Sequence, residues 1–293
     1  MEQTRKYDFA DGVSLLKMTK EYNLSIAELM LEREMEVFGK KKEDIMAALL
    51  HSYEIMKRST KKPLEQKLKT MGGLIGGEAK MMMENKSPIT GEFFRRVIAY
   101  SMAVLEQNSS MGLIVAAPTA GSSGVIPGSF VALQEEHGFS DEKMLDALLT
   151  AGAIGYIITR NATVSGAEGG CQAEIGSAAA MAAGAIVELF GGTPKQALDA
   201  ASTAIANMLG LVCDPIAGLV ESPCQKRNAM GATNAIISAD ITLSGSGNPI
   251  PFDETVSAMY SVGRALPFEL RESALGGLAG TPAGCSLSCK IFG

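Results

Sequence analysis

Apolar residues recur along most of the chain at the three- and four-residue spacing of a helix face, and the periodic segments begin and end at capping residues. Ser25 with Glu28 forms a capping box before a run that Gly39 can end. Thr193-Pro194 supplies an N-cap and a first-turn proline for a later helix. Alternating β-branched stretches are nearly absent. The pattern predicts an all-α fold: a compact multi-helix domain with Gly-rich loops and little or no sheet.

The remaining boundaries follow from the same capping and breaking signals. Leu113-Ile114-Val115 fits either a short strand or a buried helix. We expect a helix from about Lys42 to Arg58, which Lys61-Lys62-Pro63 ends, and N-caps at Thr90 and Ser140. The helix after Thr193-Pro194 is expected to continue through Met208 and Val212 until Asp214-Pro215 stops it. A last core helix is expected from about Ala229 to Leu243.

Composition divides the chain into two parts. Residues 1–70 are richer in Lys and Glu and are expected to form an N-terminal helical layer. Four glycines between positions 72 and 77 make a flexible connection. Ala and Gly recur through residues 150–245, where small side chains let helices approach closely. We therefore expect a helical core over residues 71–293, continuous with the N-terminal layer as one domain.

Charge and hydropathy exclude several classes of protein. The net charge is −6, and no basic block is present that would bind nucleic acid or an anionic membrane. The longest apolar stretch, Ile175 to Phe190, contains Glu188 and is too short to span a bilayer. The first eight residues lack the apolar core of a secretion signal. We expect a cytoplasmic protein.

Three of the five cysteines lie at predicted turns or helix ends. Cys171 follows Gly169-Gly170 and precedes a helix, and both features are expected to lower its thiol pKa. Cys213 is predicted to end a helix, and Cys224 follows it across a loop. Thiolates in such positions can hold an iron–sulfur cluster. The spacing alone leaves open the alternative that each is a small buried apolar residue.

Two polar segments stand out in an otherwise apolar chain. A Gly- and Ser-rich loop has hydroxyls and exposed amides suited to a carboxylate or phosphate, although it also fits an ordinary turn before a helix. Its candidate binding residues are Thr119, Gly121, Ser122, Ser123 and Gly124. The segment before Cys171 adds three more candidates, Asn161, Ser165 and Glu168.

These stretches together resemble the catalytic α subunit of bacterial iron–sulfur L-serine dehydratases. The resemblance spans most of the chain, and its specificity comes from the order and context of the three cysteines. The segments that carry it are residues 117–128, 165–176, 213–220, 223–228 and 272–279.

The resemblance implies an all-helical catalytic domain that converts L-serine to pyruvate and ammonia. It also implies a [4Fe-4S] cluster held by Cys171, Cys213 and Cys224, with the polar loops binding the amino and carboxylate groups of L-serine. A lyase that removes a thiol from cysteine and a non-catalytic cluster-binding sensor are the alternatives.

The general base is not identified by the sequence. Glu168, Glu174 and Lys226 are candidates inside the motifs, but each fits a structural ion pair equally well. His51 and His137 lie outside the motifs and are expected to be solvated. One-chain relatives carry a Ser-Ser-x-His-Thr type motif that this chain lacks, so the resemblance implies a separate β subunit.

The terminal cysteines have no assigned role. Some relatives place a terminal cysteine near the cluster, but this chain ends in Lys290-Ile291-Phe292-Gly293. We expect Cys285 and Cys289 to be exposed or packing thiols.

Overall fold

The structure is a computed structural model that describes residues 5–293, and this part of the chain is built from helices. The only β pairing in it is an isolated bridge between Cys213 and Arg271, so the all-α prediction is confirmed. The helices are α1 Gly12–Tyr22, α2 Ile26–Phe38, α3 Lys42–Glu65, α4 Glu78–Met83, α5 Gly91–Ser109, α6 Val125–His137, α7 Asp141–Asn161, α8 Gly166–Gly169, α9 Ser177–Leu189, α10 Pro194–Ala206, α11 Cys224–Leu243, α12 Phe252–Ala265 and α13 Pro282–Phe292.

A helix starts after each of the four predicted N-cap residues, and three of these residues make a side-chain capping hydrogen bond. Ser25 and Thr193 each form a full capping box, and the Ser140 hydroxyl accepts a hydrogen bond from the backbone of Lys143. Thr90 occupies the N-cap position of α5, but its side chain makes no capping hydrogen bond. Local sequence therefore predicts where α2, α7 and α10 begin, together with the interaction that starts them.

Two predicted helix ends are wrong, for different reasons. Pro63 does not break α3, which continues to Glu65. The proline lies in the last turn with Ser59 and Thr60 on the buried side, so packing offsets its missing N–H. The helix α10 ends at Ala206 instead of Val212, leaving Met208 and Val212 outside it, because the chain turns away to pair Cys213 with a distant segment.

The second half holds more helix than predicted. The helix α11 begins at Cys224, five residues before its expected start, and Leu113–Val115 is neither strand nor helix. Two helices, α12 and α13, follow what we expected to be the last one. The buried side of α12 carries Phe252, Val256 and Met259 at helical spacing, which is a signal the sequence contained.

The helix α9 lies at the centre of the fold. Every residue from Ser177 to Val187 is buried, and the helix contacts α6, α7, α10 and α11. A Cβ at Gly184 would lie 2.2 Å from Ile154 Cδ1 and 2.9 Å from the Ala197 carbonyl. The small residues of α9 therefore allow the close helix contacts expected from the composition.

Residues from the range 5–70 pack onto this centre. Phe9, Leu15, Ile26 and Tyr53 are fully buried in the same apolar cluster as the residues of α7 and α9. A boundary at residue 70 stays a prediction, as does the division into an N-terminal layer (1–70) and a core (71–293). No helix within residues 5–293 is both long and apolar enough to cross a membrane.

Candidate active site

Glu174 lies where three segments of the candidate site meet. It belongs to a π-helical turn, Gln172–Gly176, that leads from Cys171 into α9. The Thr119 hydroxyl donates a hydrogen bond of 2.7 Å to Glu174 Oε1. Cys213 Sγ lies 3.9 Å from Glu174 Oε2. A carboxylate thus joins the Gly- and Ser-rich loop to two of the three cysteine segments.

Two glycines allow this close approach. A Cβ at Gly121 would lie 2.8 Å from Glu174 Oε1. A Cβ at Gly166 would lie 2.7 Å from Glu174 Oε2 and 3.1 Å from Cys213 Sγ. Any side chain at either position would press on the carboxylate, so glycine is needed here for space.

Backbone contacts join the Cys171 segment to the Cys213 segment. The Gln172 N–H donates to the Leu211 carbonyl at 2.9 Å. On the other side, Cys213 exchanges backbone hydrogen bonds with the 270–272 segment, with its N–H donating to Leu270 and its carbonyl accepting from Glu272. These contacts hold Cys213 in extended backbone beside Cys171.

Asn228 ties Cys224 to the Gly- and Ser-rich loop. Its side-chain nitrogen donates to the carbonyls of Gly121, at 2.7 Å, and Cys224, at 2.9 Å. Its side-chain oxygen accepts from the Gly124 N–H at 2.9 Å. Asn228 is fully buried, and two of these three hydrogen bonds join α11 to the loop, while the bond to Cys224 lies within α11.

All three cysteines are buried, and their thiol pKa values are raised. Burial is the largest cause for each, and it raises the pKa of Cys224 to about 12. The nearby Glu174 carboxylate raises the pKa of all three thiols further, and Arg227 opposes this at Cys171 and Cys224. The expectation that Gly169-Gly170 and a helix start lower the Cys171 pKa is wrong, because desolvation dominates.

The Glu174 carboxyl also has a raised pKa. Burial, the largest cause, raises the pKa to about 6, although the Thr119 hydrogen bond acts in the opposite direction. Glu272 raises the pKa further by charge repulsion. Glu174 is therefore a carboxyl group whose charge the surroundings only partly stabilise.

The thiols fit a cluster by their chemistry and by the contacts of their segments. The Cys171 and Cys213 segments meet at Glu174, and Asn228 joins the Cys224 segment to the loop whose Thr119 contacts the same carboxylate. However, within residues 5–293 no three His, Cys, Asp or Glu side chains are already arranged to hold a metal ion. Soft, buried thiols with no disulfide partner suit iron and sulfide, and ligation remains a prediction.

Most hydroxyls of the Gly- and Ser-rich loop are used within it. Ser122 Oγ lies 3.0 Å from Thr119 Oγ1, and Ser123 Oγ donates to the Ala120 carbonyl at 2.7 Å. Both serines are fully buried. The Gly124 N–H is bonded to Asn228 and is not free for a ligand. Thr119 is the residue of this loop that reaches Glu174.

The other predicted binding residues are placed differently. Asn161 donates its side-chain N–H groups to the carbonyls of Ala10 and Ile157, neither of which belongs to a cysteine segment. Ser165 begins α8 without a side-chain cap, beside Gly166. Glu168 and Lys226, two of the three candidate bases, are exposed.

An ion pair of Asp214 and Arg227, which was not predicted from the sequence, lies beside the cysteines. Arg227 Nη1 lies 2.8 Å from Asp214 Oδ1 and donates to the Val212 carbonyl at 2.8 Å. Asp214 Oδ2 accepts from the Leu278 N–H at 2.7 Å, which joins the cysteine loop to the 272–279 segment. Such partners, separated by many residues, leave no local sequence signal.

Both histidines and both tail cysteines are exposed. His51 is exposed on α3, and His137 is exposed at the end of α6 rather than in a linker, with its ring against Phe139 and Phe190. Cys285 and Cys289 are exposed on α13.

Comparison with known proteins shows the family of this chain. The model of the family described as "Serine dehydratase alpha chain" matches residues 21–279. A probable L-serine dehydratase alpha chain of Bacillus subtilis is 46% identical over 97% of this chain and 96% of its own length. The L-serine dehydratase alpha chain of Peptoniphilus asaccharolyticus is 47% identical over 92% and 94%. An L-serine dehydratase of Streptomyces coelicolor is 36% identical over 94% of this chain but only 61% of its own length. The chain belongs to the serine dehydratase alpha chain family.

Proposed function

We propose that this chain is the catalytic subunit of a [4Fe-4S]-dependent L-serine dehydratase, a lyase that eliminates water from L-serine to give pyruvate and ammonia. Family membership supports the reaction. The observation that carries the site assignment is the meeting of the Cys171 and Cys213 segments at Glu174. Asn228 joins the Cys224 segment to the Gly- and Ser-rich loop, which contacts the same carboxylate through Thr119.

Cys171, Cys213 and Cys224 would hold the cluster. When bound, it supplies an open iron that acts as a Lewis acid on the substrate hydroxyl. Their burial keeps water from the thiolates. Arg227 is the neighbouring positive charge that offsets their negative charge, since it opposes the rise in pKa at Cys171 and Cys224.

The polar loops would bind and orient the amino acid. Thr119, Ser122, Ser123, Gly121 and Gly124 form a loop whose shape is maintained by its own hydrogen bonds and by Asn228. Of these, Thr119 and Gly121 contact Glu174 most closely, so they are the strongest candidates to contact substrate. Ser165 precedes Gly166, the glycine next to Glu174, whereas the Asn161 side chain donates to the Ala10 carbonyl.

The elimination removes the Cα proton and breaks the Cβ–O bond, and the hydroxyl leaves as water. The resulting enamine becomes an imine, which water hydrolyses to pyruvate and ammonia without further catalysis. Neither histidine of the chain lies in the site, and Glu168 and Lys226 are exposed. Glu174, the third candidate, lies in the site and accepts a hydrogen bond from Thr119. We propose that a partner β subunit supplies the general base, and Glu174 is the alternative within this chain.

The lengths of the relatives support a partner. This chain covers 94–96% of two relatives named as alpha chains, but 61% of the Streptomyces coelicolor protein, whose name specifies no chain. The remaining 39% of the Streptomyces coelicolor protein is long enough to form a further domain. We propose that in this enzyme the corresponding domain is a separate β subunit. All five cysteines are free thiols, which fits the reducing cytoplasm where we expect the enzyme to work.

The test is anaerobic reconstitution with iron and sulfide, followed by analysis of both and of pyruvate release from L-serine. Cys171→Ser, Cys213→Ser and Cys224→Ser should each lose bound iron and all activity while keeping the helical circular dichroism spectrum. Cys289→Ser is the matched control and should keep its iron, since that thiol is exposed on α13. Faster pyruvate release from L-cysteine than from L-serine would show that L-cysteine, and not L-serine, is the substrate.

A further inference from the structure

A buried carboxylate between Cys213 and Cys224 accepts hydrogen bonds from a distant segment of the chain. Glu221 is 1% exposed. Its Oε1 accepts a hydrogen bond of 2.6 Å from the Gly72 N–H, and its Oε2 accepts one of 2.7 Å from the Leu74 N–H. The Thr70 hydroxyl lies 3.2 Å from the same Oε2. Charge-assisted hydrogen bonds of this kind are stronger than neutral ones.

The two segments also touch closely around this carboxylate. A Cβ at Gly72 would lie 2.5 Å from Leu219 Cδ1 and 3.3 Å from Glu221 Oε2. A second link runs through Ser109, whose hydroxyl donates to the Val220 carbonyl at 2.7 Å and whose carbonyl accepts from the Met71 N–H at 3.0 Å. The glycine connection at residues 70–76 is therefore held against the cysteine loop.

Glu221 is joined to Cys224 by the start of α11. The Gln225 N–H donates to the Glu221 carbonyl at 2.9 Å, which makes Glu221 part of the first turn that contains the thiol. Displacing Glu221 would thus displace the helix start that carries Cys224. Within residues 5–293, no other buried carboxylate joins a cysteine segment to the 70–76 connection.

We propose that Glu221 is a positioning residue that clamps the 70–76 connection onto the cysteine loop and thereby sets the position of the Cys224 thiol. The expected effect of Glu221 variants on retention of the iron–sulfur cluster rests on the proposed function. The expected effect on the position of the Cys224 thiol does not.

The chain provides a matched control in Glu188. Its partly buried carboxylate accepts hydrogen bonds from the backbone N–H groups of Ile26, at 2.7 Å, and Ala27, at 3.2 Å, and from the Thr150 hydroxyl. This is the same set of donors as at Glu221, two backbone amides and a threonine. Glu188 lies at the end of α9 and caps α2, away from the cysteine segments.

The experiment measures alkylation of each cysteine by iodoacetamide in the metal-free chain, by mass spectrometry of its peptides. Glu221→Ala should speed alkylation of Cys224 about tenfold, the local opening expected when strong hydrogen bonds are lost. Glu221→Gln, which keeps one acceptor oxygen, should give a smaller increase. Gly72→Ala, on the other side of the contact with Glu221, should also speed alkylation of Cys224. The double variant Glu221→Ala, Gly72→Ala should be alkylated at nearly the same rate as the faster single variant.

The control separates positioning from general stability. Glu188→Gln should lower the melting temperature as much as Glu221→Gln but leave the Cys224 rate unchanged. After reconstitution, the Glu221 variants should also lose iron faster than wild type under a chelator. Equal Cys224 rates in Glu221→Ala, Gly72→Ala and Glu188→Gln would overturn the proposal. A wild-type chain that binds no iron would refute the cluster assignment, while the alkylation result would still decide the role of Glu221.

Discussion

At the scale of single residues, buried carboxylates organise the interior around the cysteines. Glu174 and Glu221 each accept hydrogen bonds from segments distant in sequence. Glu106, fully buried on α5, accepts from the Ala79 N–H and from the Gln225 side chain, each at 2.9 Å, while its second oxygen has no partner in residues 5–293. A buried carboxylate that is only partly bonded is costly when ionised.

We predict that Glu106→Gln changes how stability depends on pH. Burial raises the pKa of Glu106 above its ordinary 4.5. The stability this gives is fully present below pH 4.5 and is lost as the pH rises through the folded-state value. The glutamine is neutral throughout, so the free energy of unfolding of the variant, relative to wild type, should rise across that window.

Urea unfolding at a series of pH values from about 4.5 upward measures this difference. Parallel curves for wild type and variant would show that Glu106 is not the group responsible.

A second residue-scale prediction concerns Gly166→Ala. The new Cβ would press on Glu174 Oε2 and Cys213 Sγ, 2.7 and 3.1 Å away, so the site must shift. We expect a stability loss of about 1–3 kcal/mol by overpacking and a loss of serine turnover. Gly152→Ala on α7 is the control: its Cβ would meet only Met30 Cε at 3.9 Å, and it should gain about 0.5–1 kcal/mol. Denaturant unfolding and pyruvate assays of both variants test the contrast.

At the scale of elements, the caps differ in what their side chains do. Thr193→Ala should cost about 0.5–2 kcal/mol, because the Thr193 hydroxyl accepts from the Gln196 N–H within a full capping box. Thr90→Ala should change stability by less than about 0.5 kcal/mol, because its hydroxyl makes no capping bond. Equal losses in thermal unfolding of the two variants would contradict this difference.

At the scale of the whole molecule, the helices form one core around α9, and the site lies where the loops before α6, α9 and α11 meet. We predict that the isolated, reconstituted chain turns over serine poorly and that adding the partner subunit restores activity, because the site holds no histidine. Full turnover by the isolated chain would return the search for the base to Glu174, Glu168 and Lys226.

Local interactions determine a large part of the fold, and these can be predicted from the sequence. The helical period and the capping boxes at Ser25 and Thr193 act within a few residues, so they predicted the all-α class and several helix starts. The missed helices α12 and α13 also carried local signals, a buried stripe and Thr281-Pro282. The choice of three cysteines as candidate ligands likewise came from sequence, through family resemblance, and stays a prediction.

Only the tertiary structure decided which groups meet in the site. Thr119 and Glu174 are 55 residues apart, and Glu221 and Gly72 are 149 apart, so no local pattern links them. The direction of the Cys171 pKa shift was also decided there: its glycines and helix start favour the thiolate, but complete burial outweighs both. Desolvation depends on every element packed around a group, and the sequence near that group does not contain this information.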